Sequence, residues 1–406
     1  MTKTPQHNVP ELRFPEFEGE WEEKKLGDIA SFSKGKSLSK KDISENGVAC
    51  ILYGELYTKY NAFIDEIYSK TSVDKSTLVQ GKENQILIPS SGETSEDIAT
   101  ASCLVSNKVV YIGGDINIIT PKKDKGRFIS LSLNSVNKNE IAKFAQGKSV
   151  VHLYNDHLKK TKIKIPNNLN EQEKIGTFFS KLDRQIELEE QKLAKLEEQK
   201  KGYMQQIFSQ ELRFKDENGN DYPTWKKTTI KEVAKLTVGK SKKNENTGKY
   251  IIMDMGTVTK NGTMLTHKST PHENGLLNKG DLVMPKDDIG GGHIIGKTVF
   301  IPESQKYVLG DHVYRLETKK CNGLFLHFYI NSDIVNRSLK RKVTGSAQLG
   351  LNRKSVEEEL VKVPCLEEQE KIGAFFSKLD TFIEKQLSKI ELLKERKKGF
   401  LQKMFV

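Results

Sequence analysis

The sequence predicts an α+β protein: two globular domains of mixed α/β character at opposite ends of a long antiparallel two-helix coiled coil, with a pseudo-twofold internal repeat. Three observations carry that prediction. The string EQEKIGTFFSKLD at residues 171–183 returns as EQEKIGAFFSKLD at residues 368–380, differing only at Thr177 against Ala374. Each string opens a long segment with heptad apolar spacing. A divergent segment of alternating apolar and turn residues precedes each one.

Taken in order, residues 1–19 are a short repeat segment whose ELRF, residues 11–14, returns at residues 211–214. Trp21 and Trp225 follow, then GKS at residues 35–37 and 239–241. Residues 20–165 form the first globular domain, with strands expected at 84–90 and 109–120 and a helix at 139–146. Residues 166–208 form the first long helix. Its seam is Phe179, Leu182, Ile186, Leu193, Leu196, Tyr203 and Ile207, on alternating heptad positions. Residues 209–224 connect the halves, and the DENGNDYP run at 216–223 suits a turn. Residues 225–363 form the second domain, with strands at 281–285 and 306–317 and helix around 324–341. Residues 364–406 form the second helix, with seam Phe376, Leu379, Ile383, Ile390, Leu393, Phe400 and Met404.

The polar exceptions in the two seams also match, Glu189 with Gln386 and Lys200 with Lys397. Mutual pairing explains such a coincidence, because polar seam residues fix register. A helix of this length spans about 55 Å. Parallel helices would force the connector to extend almost fully at about 3.3 Å per residue, whereas an antiparallel pair needs no such stretch. The same logic puts the amino-terminal ELRF near the end of the second helix.

Composition narrows the function. Lys and Arg number 66 against 54 Asp and Glu, giving +12, yet residues 171–208 and 368–405 together carry only +2 of it. The excess lies on the domains and favours an acidic polymer as partner. Mean hydropathy is −0.57, no segment supplies the roughly 18 apolar residues of a membrane span, and the start lacks the apolar core of a secretory signal. A cytoplasmic chain with no membrane contact is expected. Cys50, Cys103, Cys321 and Cys365 lie far apart, which argues against disulfides and zinc knuckles.

Catalytic and nucleotide patterns fail. The GKS triplets are not P-loops, because Ala30 and Ala234 stand where the first Gly belongs. The DDIGGGHIIGK run at 287–297 lacks the strand and helix context of a dinucleotide site. No HExxH or compact ligand cluster suggests a metal. Neither NPPY nor DPPY occurs, and no glycine-rich S-adenosylmethionine loop is evident.

With its twin EQEKIG-x-FFSKLD strings and heptad helices, the chain resembles specificity subunits (HsdS) of type I restriction-modification enzymes. Each copy has a Pro just upstream, Pro166 or Pro364, and follows a variable domain that opens on a Trp and closes on QGKSVVHLYND or TGSAQLGLNRK. The resemblance covers essentially the full length. It implies two target recognition domains, each reading one half of a bipartite site in double-stranded DNA, and helices that set the spacing and dock two methyltransferase (HsdM) subunits for adenine methylation. It also implies restriction (HsdR) subunits as partners. S-adenosylmethionine, ATP and magnesium would then belong to the partner subunits, with no catalytic, cofactor or metal site on this chain.

Phosphate contacts call for Lys and Arg on domain loops, and base reading for side chains that reach the major groove. The candidates are Lys34, Lys36, Lys40, Lys41, Tyr53, Ser90, Ser91 and Lys148 in the first domain. In the second they are Lys240, Lys242, Lys243, Lys286, Arg341, Lys342, Gln348 and Arg353. Gly147 and Gly345 are expected to serve turns, and the GKS triplets to orient each domain. The alternative is a coiled-coil scaffold whose globular ends bind proteins without DNA; salt dependence separates the two.

Overall fold

The computed structural model describes residues 8–147, 150–245, 248–266, 268–346 and 348–406. The chain forms two compact units, Met1–Glu190 with Lys389–Val406, and Gln191–Ser388. Each contains one globular domain, part of the helix that follows it, and the end of the other long helix.

In the first unit, Glu22–Lys25 pairs antiparallel with Lys162–Ile165 where the chain enters and leaves the domain. One five-stranded sheet has the order Ala30–Lys34, Ile116–Pro121, Ile86–Pro89, Ser102–Leu104, Phe63–Ile64. A second runs Ile43–Ser44, Ser69–Thr71, Val48–Ile51, Tyr111–Ile112, Val79–Gln80. The unbroken apolar run Ile86–Pro89 is buried along its whole length, as a strand covered on both faces must be. The second unit repeats the plan. Lys226–Thr229 pairs with Leu360–Val363, beside a four-stranded sheet ordered Ala234–Val238, Val313–Thr318, Leu282–Pro285, Val299–Phe300. Its second sheet is Ser269–Thr270, Tyr250–Met253, Tyr307–Leu309.

Three expected elements divide. The run at 109–120 is two strands in different sheets, because Asp115 turns the chain with φ 58°. The run at 306–317 breaks likewise at His312, φ 59°. Helix at 324–341 is split into Gly323–Asn331 and Asp333–Lys340 by Ser332, which is extended at φ −66°, ψ 156°. The helix expected at 139–146 is shorter, Lys138–Lys143.

The long helices run Leu169–Ser209 and Leu366–Lys403, 41 and 38 residues, or roughly 60 Å each. Within the first unit the start of one lies against the end of the other in antiparallel register: Asp183 pairs with Lys397 at 2.5 Å, Glu190 with Lys394 at 2.6 Å, and Glu189 with Lys389. The second unit has the symmetric pair Lys200–Asp380. The polar seam lysines are thus tied to the last residue of each FFSKLD. Burial pushes the Asp183 carboxyl above its usual range despite Lys397.

Phe179, Ile186, Ile207, Phe376, Ile390, Leu393 and Met404 of the predicted seam are buried, and Leu182, Leu193, Leu196, Leu379, Ile383 and Phe400 are half-buried. Tyr203 is instead 37% exposed, its ring edge-on to Phe375 at 5.3 Å. The symmetric contact is Phe178 on Phe400 at 5.2 Å. At each helix end the chain leaves its partner helix and enters a domain core. Phe405 joins Trp21, Phe128 and Phe179, and Phe208 joins Trp225, Phe325 and Phe376. Phe208 and Phe405 lie outside the heptad seam, and domain packing buries them.

A clasp explains the remaining repeated residues. Arg13 donates from Nε and Nη2 to the buried Glu171 carboxylate at 2.7 and 2.8 Å, and the Trp21 indole N–H donates at 3.2 Å. Arg213 and Trp225 do the same to Glu368 at 3.1, 2.7 and 3.1 Å, which holds the Arg213 guanidinium above its ordinary pKa. Phe14 and Phe214 of ELRF pack edge-on against Phe178 and Phe375. The Leu12 N–H donates to Lys403 O at 2.8 Å, so the amino-terminal ELRF does sit on the end of the second helix. Gln172 and Gln369 donate to Pro166 O and Pro364 O at 2.8 Å and accept from the backbone N–H of Lys125 and Asn322. Gly176 and Gly373 lie so close to the domain that a Cβ would come within 2.8 Å of Arg127 Cβ and 2.9 Å of Leu324 Cβ.

Candidate nucleic-acid interface

Each domain carries a lip assembled from four loops, and the two lips share one backbone frame. The strand-breaking turn is the hub. In the first unit, Ser90 N–H donates to Asp115 O at 2.7 Å and Leu153 N–H to Ser90 O at 3.0 Å. In the second, Lys286 N–H donates to His312 O at 2.9 Å and Leu351 N–H to Lys286 O at 2.8 Å. The GKS loops close onto the same hub through Gly35 N–H to Ile116 O and Gly239 N–H to Val313 O. A Cβ on Gly35 would lie 1.8 Å from Gly113 O, and one on Gly239 1.7 Å from Gly310 O. Only glycine allows that approach, which accounts for the glycine of each triplet. Gly147 and Gly345, at φ 138° and 98°, serve the turns beneath the fourth loop.

The side chains on this frame differ. Ser91 Oγ meets His152 Nδ1 at 3.1 Å in the first lip, where Lys34 Nζ lies 5.8 Å from the ring of the exposed Tyr154. In the second lip, His312 Nδ1 meets Asp287 Oδ2 at 2.7 Å and Lys286 Nζ lies 3.6 Å from that carboxylate. Asp288 accepts from Gly290 N–H at 2.6 Å and Ile294 N–H at 2.8 Å. The glycine-rich run therefore turns these amides onto its own carboxylate.

Lys34, Lys36, Lys40, Lys41 and Tyr53 are exposed in the first unit. Lys40 and Lys41 lie in a turn capped by Ser39 and Asp42, and that hydrogen bonding lowers the Asp42 pKa. Ser90 and Ser91 are only 4% and 8% exposed, because the frame uses Ser90 in both directions and Ser91 sits in a strand pair with His152. Lys148 lies outside the described residues. In the second unit Lys240, Lys243, Arg341, Gln348 and Arg353 are exposed, with Lys243 near Glu245 at 3.6 Å. Lys242 donates to Asn274 O. Lys342 is held at 2.6 Å by the buried Glu359, and Arg353 pairs with Glu357 along its own helix at 2.7 Å.

The hub turns and the His152 and His312 pairs are absent from the sequence-derived candidates. A Gly-Asp dipeptide inside each apparent strand, at 114–115 and 310–311, is the signal that marks them.

Burial pushes the thiols of Cys50, Cys103 and Cys321 up to about 11, 12 and 12, far from nucleophilic thiolates. Among the described residues, no group of His, Cys, Asp and Glu is placed to hold a metal ion, and no helix is long and apolar enough to cross a membrane.

The sequence pattern of the type I restriction modification DNA specificity domain matches this chain twice, over residues 18–198 and 222–392. A curated relative from Methanocaldococcus jannaschii, the type I restriction enzyme MjaVIII specificity subunit, is 25% identical over 407 aligned positions, covering 95% of this chain and 92% of that protein. Among solved structures, the type I restriction-modification S subunit from M. genitalium matches with TM-score 0.66 and 17% identity, covering 98% of this chain and 99% of that one. A chain from a study of complex assembly and conformational transition of the type I restriction-modification system matches with TM-score 0.54 and 13% identity, covering 95% and 97%. The structural likenesses bear on the fold, and the double domain match bears on the family. The chain belongs to the type I restriction-modification DNA specificity family.

Proposed function

We propose that the chain is the non-catalytic DNA-recognition subunit of a multisubunit methyltransferase and endonuclease, reading a bipartite site with one domain per half. The observation that carries this reading is the doubling itself: the clasp residues repeat and four of the seven seam positions are identical, while the lips carry different side chains. Identical mounts with dissimilar faces suit two readers of dissimilar half-sites. Lys34, Lys36, Lys40, Lys41, Lys240, Lys243 and Arg341 are assigned to phosphates, and Tyr53 and Gln348 to the groove. Lys242, Lys286, Lys342 and Arg353 shape the second lip through their partners, and Ser90 and Ser91 shape the first.

The long helices serve as the spacer and as the docking surface for two methyltransferase subunits. Those subunits carry S-adenosylmethionine and methylate adenine, and the restriction subunits carry ATP and magnesium. Methylome sequencing of cells carrying the chain with its methyltransferase subunits tests this. The expected product is a two-part motif with a fixed unread gap, and insertion of one helical turn in a spacer changes the gap alone. A single continuous motif, or a gap unchanged by the insertion, overturns it.

A further inference from the structure

Resting on that reading, we propose that His152 in the first lip and Asp287 in the second are specificity-determining residues, each reading a base edge through a hydrogen bond of opposite sense. Corresponding hydrogen bonds fix Ser90 to Lys286, Asp115 to His312, and the reciprocal pair Gln146–His152 to the reciprocal pair Thr344–Gly350. Asp115 and His312 even share a left-handed φ, 58° and 59°. Position by position, Ser91 therefore corresponds to Asp287 and His152 to Gly350. Where the lip backbone is retained to the individual hydrogen bond, its side chains are what can give the two lips different targets.

The chemistry of those side chains differs in sign. With the Ser91 hydroxyl taken as the donor across its 3.1 Å contact with His152 Nδ1, the ring proton sits on Nε2, a donor suited to the N7 and O6 acceptors of guanine. In the second lip the imidazole has moved to the hub position. His312 Nδ1 lies 2.7 Å from Asp287 Oδ2, which fixes the carboxylate in place. Asp287 is acceptor-only when ionised, suited to the N4 amino group of cytosine and set against guanine's acceptors. The side chain of Asp287 is 18% exposed and that of His312 45%, so the pair is held yet open at the surface.

The test uses the full chain assembled with its methyltransferase subunits, with methylated motifs read by sequencing for wild type, His152→Ala and the isosteric Asp287→Asn. His152→Ala should relax one position of the first half-site by roughly 5- to 150-fold in discrimination, leaving the second half-site as an internal control for folding. Asp287→Asn should relax or change one position of the second half-site by a similar factor. Unchanged preference in either variant, change at both half-sites, or loss of a whole half-site in Asp287→Asn overturns the assignment. A wild-type assembly with no bipartite motif would instead refute the underlying reading.

Discussion

Replacing Arg13 with alanine removes two charge-assisted hydrogen bonds, at 2.7 and 2.8 Å, from a Glu171 carboxylate that is 1% exposed. Stripping one partner from a buried ion pair costs about 3–5 kcal/mol, because the remaining charge stays desolvated. The Arg13 side chain is 12% exposed and the Trp21 indole still donates, so water and one donor soften the loss. We expect about 3 kcal/mol, roughly 150-fold in the folding equilibrium of the first unit. Arg13 also donates to Gly19 O and Glu18 O, so the turn before Trp21 loosens with it.

The assay is built into the sequence. The chain has two tryptophans, one in each clasp, so Trp225→Phe leaves Trp21 as the reporter of the first unit during urea unfolding. Arg13→Ala should move the Trp21 transition and leave the second unit, followed by Trp225 in a Trp21→Phe background, where it was. Arg213→Ala should do the reverse. A loss below 1 kcal/mol, or equal shifts in both units, would mean that the clasp does not hold each domain to its helix.

Acid should weaken the second unit selectively. Burial, and then the charges of Lys200 and Lys297, push the His327 pKa down to about 3. The unfolded imidazole takes a proton below its ordinary pKa near 6.5 and the folded one does not, so stability is full above that value and falls as pH drops toward about 3. By pH 5 the loss is about 2 kcal/mol, and His327→Gln should flatten this slope in melts followed through Trp225. Gly35→Ala and Gly239→Ala drive a methyl into a carbonyl oxygen at 1.8 and 1.7 Å and should each cost about 1–3 kcal/mol. Gly202→Ala and Gly399→Ala meet nothing within 4 Å and should stabilise by about 0.5–1 kcal/mol, which thermal melts distinguish.

The architecture was legible because the repeated residues do the same work in each copy. Glu171 and Glu368 anchor clasps, Gln172 and Gln369 satisfy backbone at the domain edge, and Asp183 and Asp380 meet seam lysines. Identity at those positions is the imprint of identical contacts. The lips were less legible. Ser91 and His152 lie 61 residues apart in sequence, and nothing in the periodicity joins them. Asp115 and His312 hide inside runs with strand alternation, because a single left-handed residue leaves the apolar pattern on either side intact. Lys342 reads as a free surface cation in sequence, yet buried Glu359 claims it.

Gly176 and Gly373 remove two methyl groups from where helix meets domain, and the gap is filled by Arg127 and Leu324. A joint that tight cannot swivel, since close-packed interiors resist displacement rather than yield to it. Force applied to a domain therefore passes into the helix that bears it with little give at the joint.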